Sequence, residues 1–262
     1  RANSRQRTAV LGHIVKHVPV IAWELLVKLL PKNYDAGSVT TKPKIREGDA
    51  PNLEVLTYSV VWENQSAIVK MAVQLAEGNP ERLVTLIPCL SQFRPEPYQL
   101  SLGAIKDYLE SAAIDDRIPV WEALRKEARR HRKFSQTDWA IKDDALASIE
   151  AIVEEFKPSN PMQLTRWLFD EWMPWVSEVD EVDLVGIEKA RAASLKAVYA
   201  KDGVQGVMNL YKVAKLPNSV AGALQNVELP MHVLEELFSM ALEDGIVGLV
   251  AAISSNGLRR FD

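Results

Sequence analysis

The stretch Ala147-Ser148-Ile149-Glu150-Ala151-Ile152-Val153-Glu154-Glu155-Phe156 decides the fold class. Ile149, Ile152, Val153 and Phe156 fall at i, i+3, i+4 and i+7, while Glu150, Glu154 and Glu155 point elsewhere. Spaced at about 100° per residue around an axis, the four apolar side chains make one stripe, which is the signature of an amphipathic helix. Working outward, the same recurrence marks helices over 6–17, 20–30, 52–76, 81–90, 99–113, 119–133, 137–156, 161–172, 182–201, 205–215, 219–226, 230–243 and 246–254. Alternation of the kind a strand needs competes with none of them.

Punctuation supports this parsing. Pro31, Gly78-Asn79-Pro80, Pro95-Glu96-Pro97, Pro158-Ser159-Asn160-Pro161, Asp202-Gly203, Pro217 and Asp244-Gly245 stand where helices should stop and restart. Ser135 to Asp138, and Asn160 before Pro161, supply side-chain oxygens suited to N-caps. Short connections imply antiparallel neighbours, so the expected fold is all-α: stacked helical hairpins, in a solenoid or layered array, with no sheet. No motif recurs at a tetratricopeptide, ankyrin, HEAT or armadillo period. Residues 31–51, rich in Lys, Asn, Asp, Gly, Ser, Thr and Pro, read as one long loop.

Composition bounds the function classes. The chain of 262 residues is 47% hydrophobic and 25% charged, which fits a folded domain and excludes a disordered or fibrous one. A net charge of −4 excludes a globally basic nucleic-acid binder, and a single cysteine excludes a disulfide framework or a Cys-rich zinc module. The longest apolar runs fall short of the roughly 20 residues of a membrane span, so a cytoplasmic location is expected. Arg1 stands first with no leader-like segment before the first helix, and 258–262 reads as the start of another element. The expectation is one helical region, 1–262, excised from a larger protein.

The sharpest charge feature is Arg125, Lys126, Arg129, Arg130, Arg132 and Lys133, with only Glu127 inside the run. On a helix these bases share an arc of about 160° opposite Val120, Leu124 and Ala128, forming a basic ridge. Guanidinium forks on such a ridge suit phosphate or carboxylate, in a nucleic acid, a nucleotide or an acidic peptide. The alternative is compensation within the fold by Asp138, Asp143, Asp144, Glu150, Glu154 and Glu155 of the next helix. His131 falls on the apolar side of the ridge helix and reads as a packed histidine. Lys42, Lys44 and Arg46 in the long loop are further candidate ligand-binding bases.

His13 and His17 stand four apart, a spacing that allows metal sharing, but no third ligand accompanies them and no metal is expected. Trp167, Phe169, Trp172 and Trp175, with Met162, Met173 and Pro174, read mainly as core, an exposed anchor for a partner being the alternative. Asp170, Glu171, Glu178, Asp180, Glu181 and Asp183 fit the start of a helix better than acid–base catalysis. Cys89, among Leu86, Ile87, Pro88 and Leu90, reads as a buried thiol. Phosphate-loop, dinucleotide, nucleophile-elbow and zinc-protease signatures are absent, so neither catalytic residues nor a cofactor are expected.

Three stretches resemble large, mostly uncharacterised bacterial proteins. They are Ala22-Trp23-Glu24-Leu25-Leu26 through Leu29-Leu30-Pro31 with Thr41-Lys42-Pro43-Lys44 and Arg46; Ile118-Pro119-Val120-Trp121-Glu122-Ala123-Leu124-Arg125 with Arg130-His131-Arg132-Lys133-Phe134 and Asp138-Trp139-Ala140; and Asn160-Pro161 leading to Trp167-Leu168-Phe169-Asp170. The resemblance, covering about half the chain, is to helical-repeat regions of multidomain signalling or anti-phage proteins. It implies a noncatalytic scaffold or sensor that binds a protein, another domain of its parent chain or another ligand. A nucleic-acid or nucleotide-binding domain using the ridge is the alternative.

Overall fold

The structure is a computed structural model that describes residues 3–31, 57–176 and 183–258. All regular elements among the described residues are helical. In order they are α1 Ser4–His17, α2 Pro19–Leu29, α3 Tyr58–Ala76, α4 Pro80–Leu86, a 3₁₀ turn Ile87–Gln92, α5 Pro95–Ser111, α6 Ile114–Lys133 and α7 Asp143–Glu155. There follow α8 Pro161–Thr165, α9 Trp167–Asp170, α10 Leu184–Val213, α11 Pro217–Gln225, α12 Met231–Glu243 and α13 Val247–Leu258. No helix among the described residues is long and apolar enough to cross a membrane.

Local chemistry sets most of these boundaries. Asn3 caps α1 in a reciprocal box with Gln6, Thr57 caps α3, Asn79 caps α4, Asn160 caps α8 and Asp183 caps α10, each accepting from an amide of the first turn. Prolines begin α2, α4, α5, α8 and α11, where a missing amide hydrogen costs nothing.

Several boundaries differ from the sequence expectation. The element expected over 81–90 is α4 followed by a 3₁₀ turn, because Pro88 cannot continue the α-helical ladder. The element expected over 161–172 divides at Arg166 into α8 and α9. α6 starts at Ile114 rather than Pro119, with Asp115 and Asp116 favourably placed in its first turn. The expected stop at 202–203 is kept: within α10 Gly203 leaves the helical conformation at φ 62°, ψ −154°, so two helical segments meet there at a kink.

Contacts divide the chain into two compact units, Arg1–Phe156 and Lys157–Asp262, the division falling in sequence just before the proline-rich punctuation 158–161. Within each unit, helices pack on their neighbours one and two places along the chain: α3 on α1, α2, α4 and α5, and α6 on α4, α5 and α7. In the second unit α10 packs on α8, α9, α11 and α12, and α13 on α11 and α12. The first core gathers Leu26, Ala72, Leu83, Leu86, Ile105, Leu109, Trp121, Leu124, Leu146 and Ile149. The second gathers Phe169, Leu195, Val198, Val207, Met208, Val220, Leu224, Leu237 and Leu249. Burying each of the Val, Leu, Ile, Phe and Met side chains among them stabilises by roughly 1.5–3 kcal/mol.

On α1 Ser4 and Val15 are buried and Thr8, Leu11 and Ile14 half-buried, while Val10 is 59% exposed. The Asn64 side-chain oxygen of α3 accepts from the Ser4 and Thr8 hydroxyls, so two polar side chains belong to the helix contact.

Candidate functional site

The basic ridge is held by an anchored helix. Ile118, Trp121, Leu124, Ala128 and His131 bury one stripe of α6, and the Trp121 indole donates to the Val153 carbonyl of α7 at 2.9 Å. Opposite that stripe Lys126 is exposed, and Arg125, Arg129, Arg130, Arg132 and Lys133 are half-buried.

At the C-terminal end of α6 the bases enter a polar network. His131 is fully buried, and its Nδ1 accepts the Ile141 amide hydrogen at 3.1 Å. With Nδ1 an acceptor, Nε2 carries the proton and donates to Glu127 Oε1 at 2.8 Å. Glu127, itself only 4% exposed, also accepts from Arg130 at 3.2 Å. The Arg130 guanidinium lies over the Trp139 ring, 4.7 Å from its centroid, and the Phe134 and His131 rings flank the same indole. The sequence reading of His131 as packed holds; the burial of Glu127 inside a run of bases had no sequence signal beyond its four-residue spacing from His131.

Arg132 forks onto Glu150, with Nε to Oε1 at 3.0 Å and Nη2 to Oε2 at 2.6 Å, and reaches Asp143 at 3.2 Å. Part of the ridge is therefore compensated by α7, the arrangement weighed against anion capture in the sequence. α7 begins at Asp143, not at 137. The intervening residues form turns, Thr137 amide to Phe134 carbonyl and Ala140 amide to Thr137 carbonyl, and the imidazole takes the Ile141 amide that a longer helix would use. Lys42, Lys44 and Arg46 lie outside the described residues, as does 32–51 of the long loop.

The remaining candidates disperse. His13 and His17 are both exposed on α1 with ring centroids 4.2 Å apart, and no group of three metal-ligating side chains occurs among the described residues. Cys89 is half-buried rather than buried, its thiol directed at the Thr85 carbonyl, because the 3₁₀ turn places it off the face that buries Leu86, Ile87 and Leu90. Asp183 caps α10 as its position suggested; Glu178, Asp180 and Glu181 lie outside the described residues.

The aromatic stretch splits between roles. Phe169 is fully buried and Trp167 packs against the same core, whereas Trp172 is 77% and Met173 46% exposed. Arg191 fixes the backbone beneath them, donating to the carbonyls of Leu168, Glu171 and Trp172 at 2.8, 2.9 and 3.3 Å. Burial pulls the Arg191 guanidinium below its ordinary pKa, with Glu188 acting in the opposite sense. These residues border a groove of about 980 Å³ between α10, α11 and 172–173.

No family model matches this chain, and comparison with the curated proteins and with the solved structures found no match.

Proposed function

We propose that this chain is a noncatalytic helical scaffold or sensor region of a larger cytoplasmic bacterial protein, and that it binds a protein partner or another domain of its parent through the α6 ridge. The observation that supports this reading is a charged helix face held rigid from behind: the stripe from Ile118 to His131 is buried, while Lys126 on the opposite side is exposed. Preorganised side chains lose less conformational entropy on binding, so a fixed ridge recognises a complementary acidic surface at lower cost than a mobile one. The resemblance to multidomain signalling or anti-phage proteins points the same way.

Phosphate recognition by the ridge is the alternative reading. Asp143 and Glu150 bring carboxylates onto Arg132, which lowers the local positive potential towards either kind of anion. A photocrosslinking amino acid at 126 in the full-length protein, expressed in its own cell, tests both. A discrete protein or intramolecular adduct, lost on Arg129→Glu, is expected. Nucleic-acid adducts that fall steeply with added salt would replace this reading by the phosphate one, and the absence of any adduct would remove both.

A further inference from the structure

We propose that the groove between α10 and α11 is a binding site for a small aromatic carboxylate, separate from the α6 ridge. Its volume, about 980 Å³, lies at the upper end of the roughly 300–1,000 Å³ typical of small-ligand sites. The groove combines an apolar base with an aromatic rim. Of its lining residues Ile187 and Ala223 are 4% exposed, whereas Trp172 is 77%, Leu184 60% and Met173 46% exposed. A planar apolar body seated there covers side chains that water otherwise surrounds, and an indole gains offset stacking beyond the area it buries.

Charge selects the other half of the ligand. Among its described lining residues the groove carries Lys215 and Arg191 as cations and Glu188 as the carboxylate. Arg191 donates to three backbone carbonyls, which leave its charge in place, and Glu188 is the carboxylate that acts on it. The Lys215 side chain is exposed and makes no ion pair among the described residues. Its backbone is fixed, the amide donating to Asp170 Oδ1 at 2.9 Å while the next amide, Leu216, donates to the Phe169 carbonyl. Among the described lining residues two cations stand against one carboxylate, a balance that favours an anion, and the side-chain amides of Asn218 and Asn226 in the same lining carry donors for its oxygens.

The test titrates 2-naphthoate into the full chain, following the indole N–H resonances, with that of Trp172 assigned by its loss in Trp172→Phe. Saturable binding that shifts the Trp172 resonance is expected. Uncharged 2-naphthamide should bind about five-fold more weakly, the scale of one exposed charge pair. Lys215→Glu should weaken naphthoate by at least the same factor, with Lys215→Met as the milder variant should reversal disturb folding. Equal affinity for acid and amide, insensitivity to both Lys215 variants, or no saturation at millimolar probe would each overturn the proposal.

Discussion

Replacing Gly203 by Ala and, separately, Gly103 by Ala makes one chemical change with opposite expected signs. Gly203 stands at φ 62°, ψ −154°, a conformation that residues carrying a Cβ avoid, whereas Gly103 lies inside α5. A Cβ at either position meets nothing within 4 Å. Steric crowding therefore drops out and only the backbone remains. Alanine at 203 must hold a glycine-only conformation, which costs roughly 1–3 kcal/mol, while alanine at 103 removes unfolded-state freedom and gains roughly 0.5–1 kcal/mol. With a urea dependence of about 2 kcal/mol per molar, the first change lowers the unfolding midpoint of the second unit by about 0.5–1.5 M. The second raises that of the first unit by about 0.25–0.5 M. Urea titration followed by far-ultraviolet dichroism, with amide exchange separating the two units, measures both. Midpoints moving in the same direction, or a Gly203→Ala midpoint indistinguishable from the parent, would refute the argument that the break in α10 depends on this glycine.

Three further outcomes follow from the first unit. His131→Ala strands the Ile141 amide and deprives the buried Glu127 carboxylate of one donor; a loss of about 3 kcal/mol or more is expected by urea denaturation, and a loss under 1 kcal/mol would show the network to be dispensable. Arg132→Met should cost only about 0.5–1 kcal/mol, because its side chain and that of Glu150 are 38% and 40% exposed, and the difference should shrink in about 1 M salt. Burial pushes the Tyr98 phenol from 10.0 up to about 12, its hydroxyl donating to the Ala145 carbonyl at 2.6 Å. The unfolded chain then ionises first, so this contribution is complete below pH 10 and disappears as pH rises towards about 12. Tyr98→Phe should flatten the dependence of the urea midpoint over that window.

Helical periodicity made the all-α class legible, and prolines and glycines marked most of the stops. What escaped was chemistry in which side chains replace backbone partners. The start of α7 moved because His131 captures the Ile141 amide, and Ser4 and Thr8 join the packed side of α1 because Asn64 receives their hydroxyls. Neither partner is near in sequence, so no periodicity reports it. The ridge was visible as a run of bases and its α7 counter-charges as a run of acids, yet the pairing of Arg132 with both Asp143 and Glu150 required the turn between the helices. Trp172 and Phe169, three residues apart, looked equally apolar; the end of α9 at Asp170 separates the exposed ring from the buried one.

The imidazole that accepts the Ile141 amide also constrains what lineages can do with this stretch. An insertion or deletion between 134 and 141 would carry the amide away from Nδ1 and misplace the carboxylates of α7 relative to Arg132. Length change, ordinarily tolerated at a surface turn, should therefore be rejected here, and variation confined to substitutions that keep the residue count.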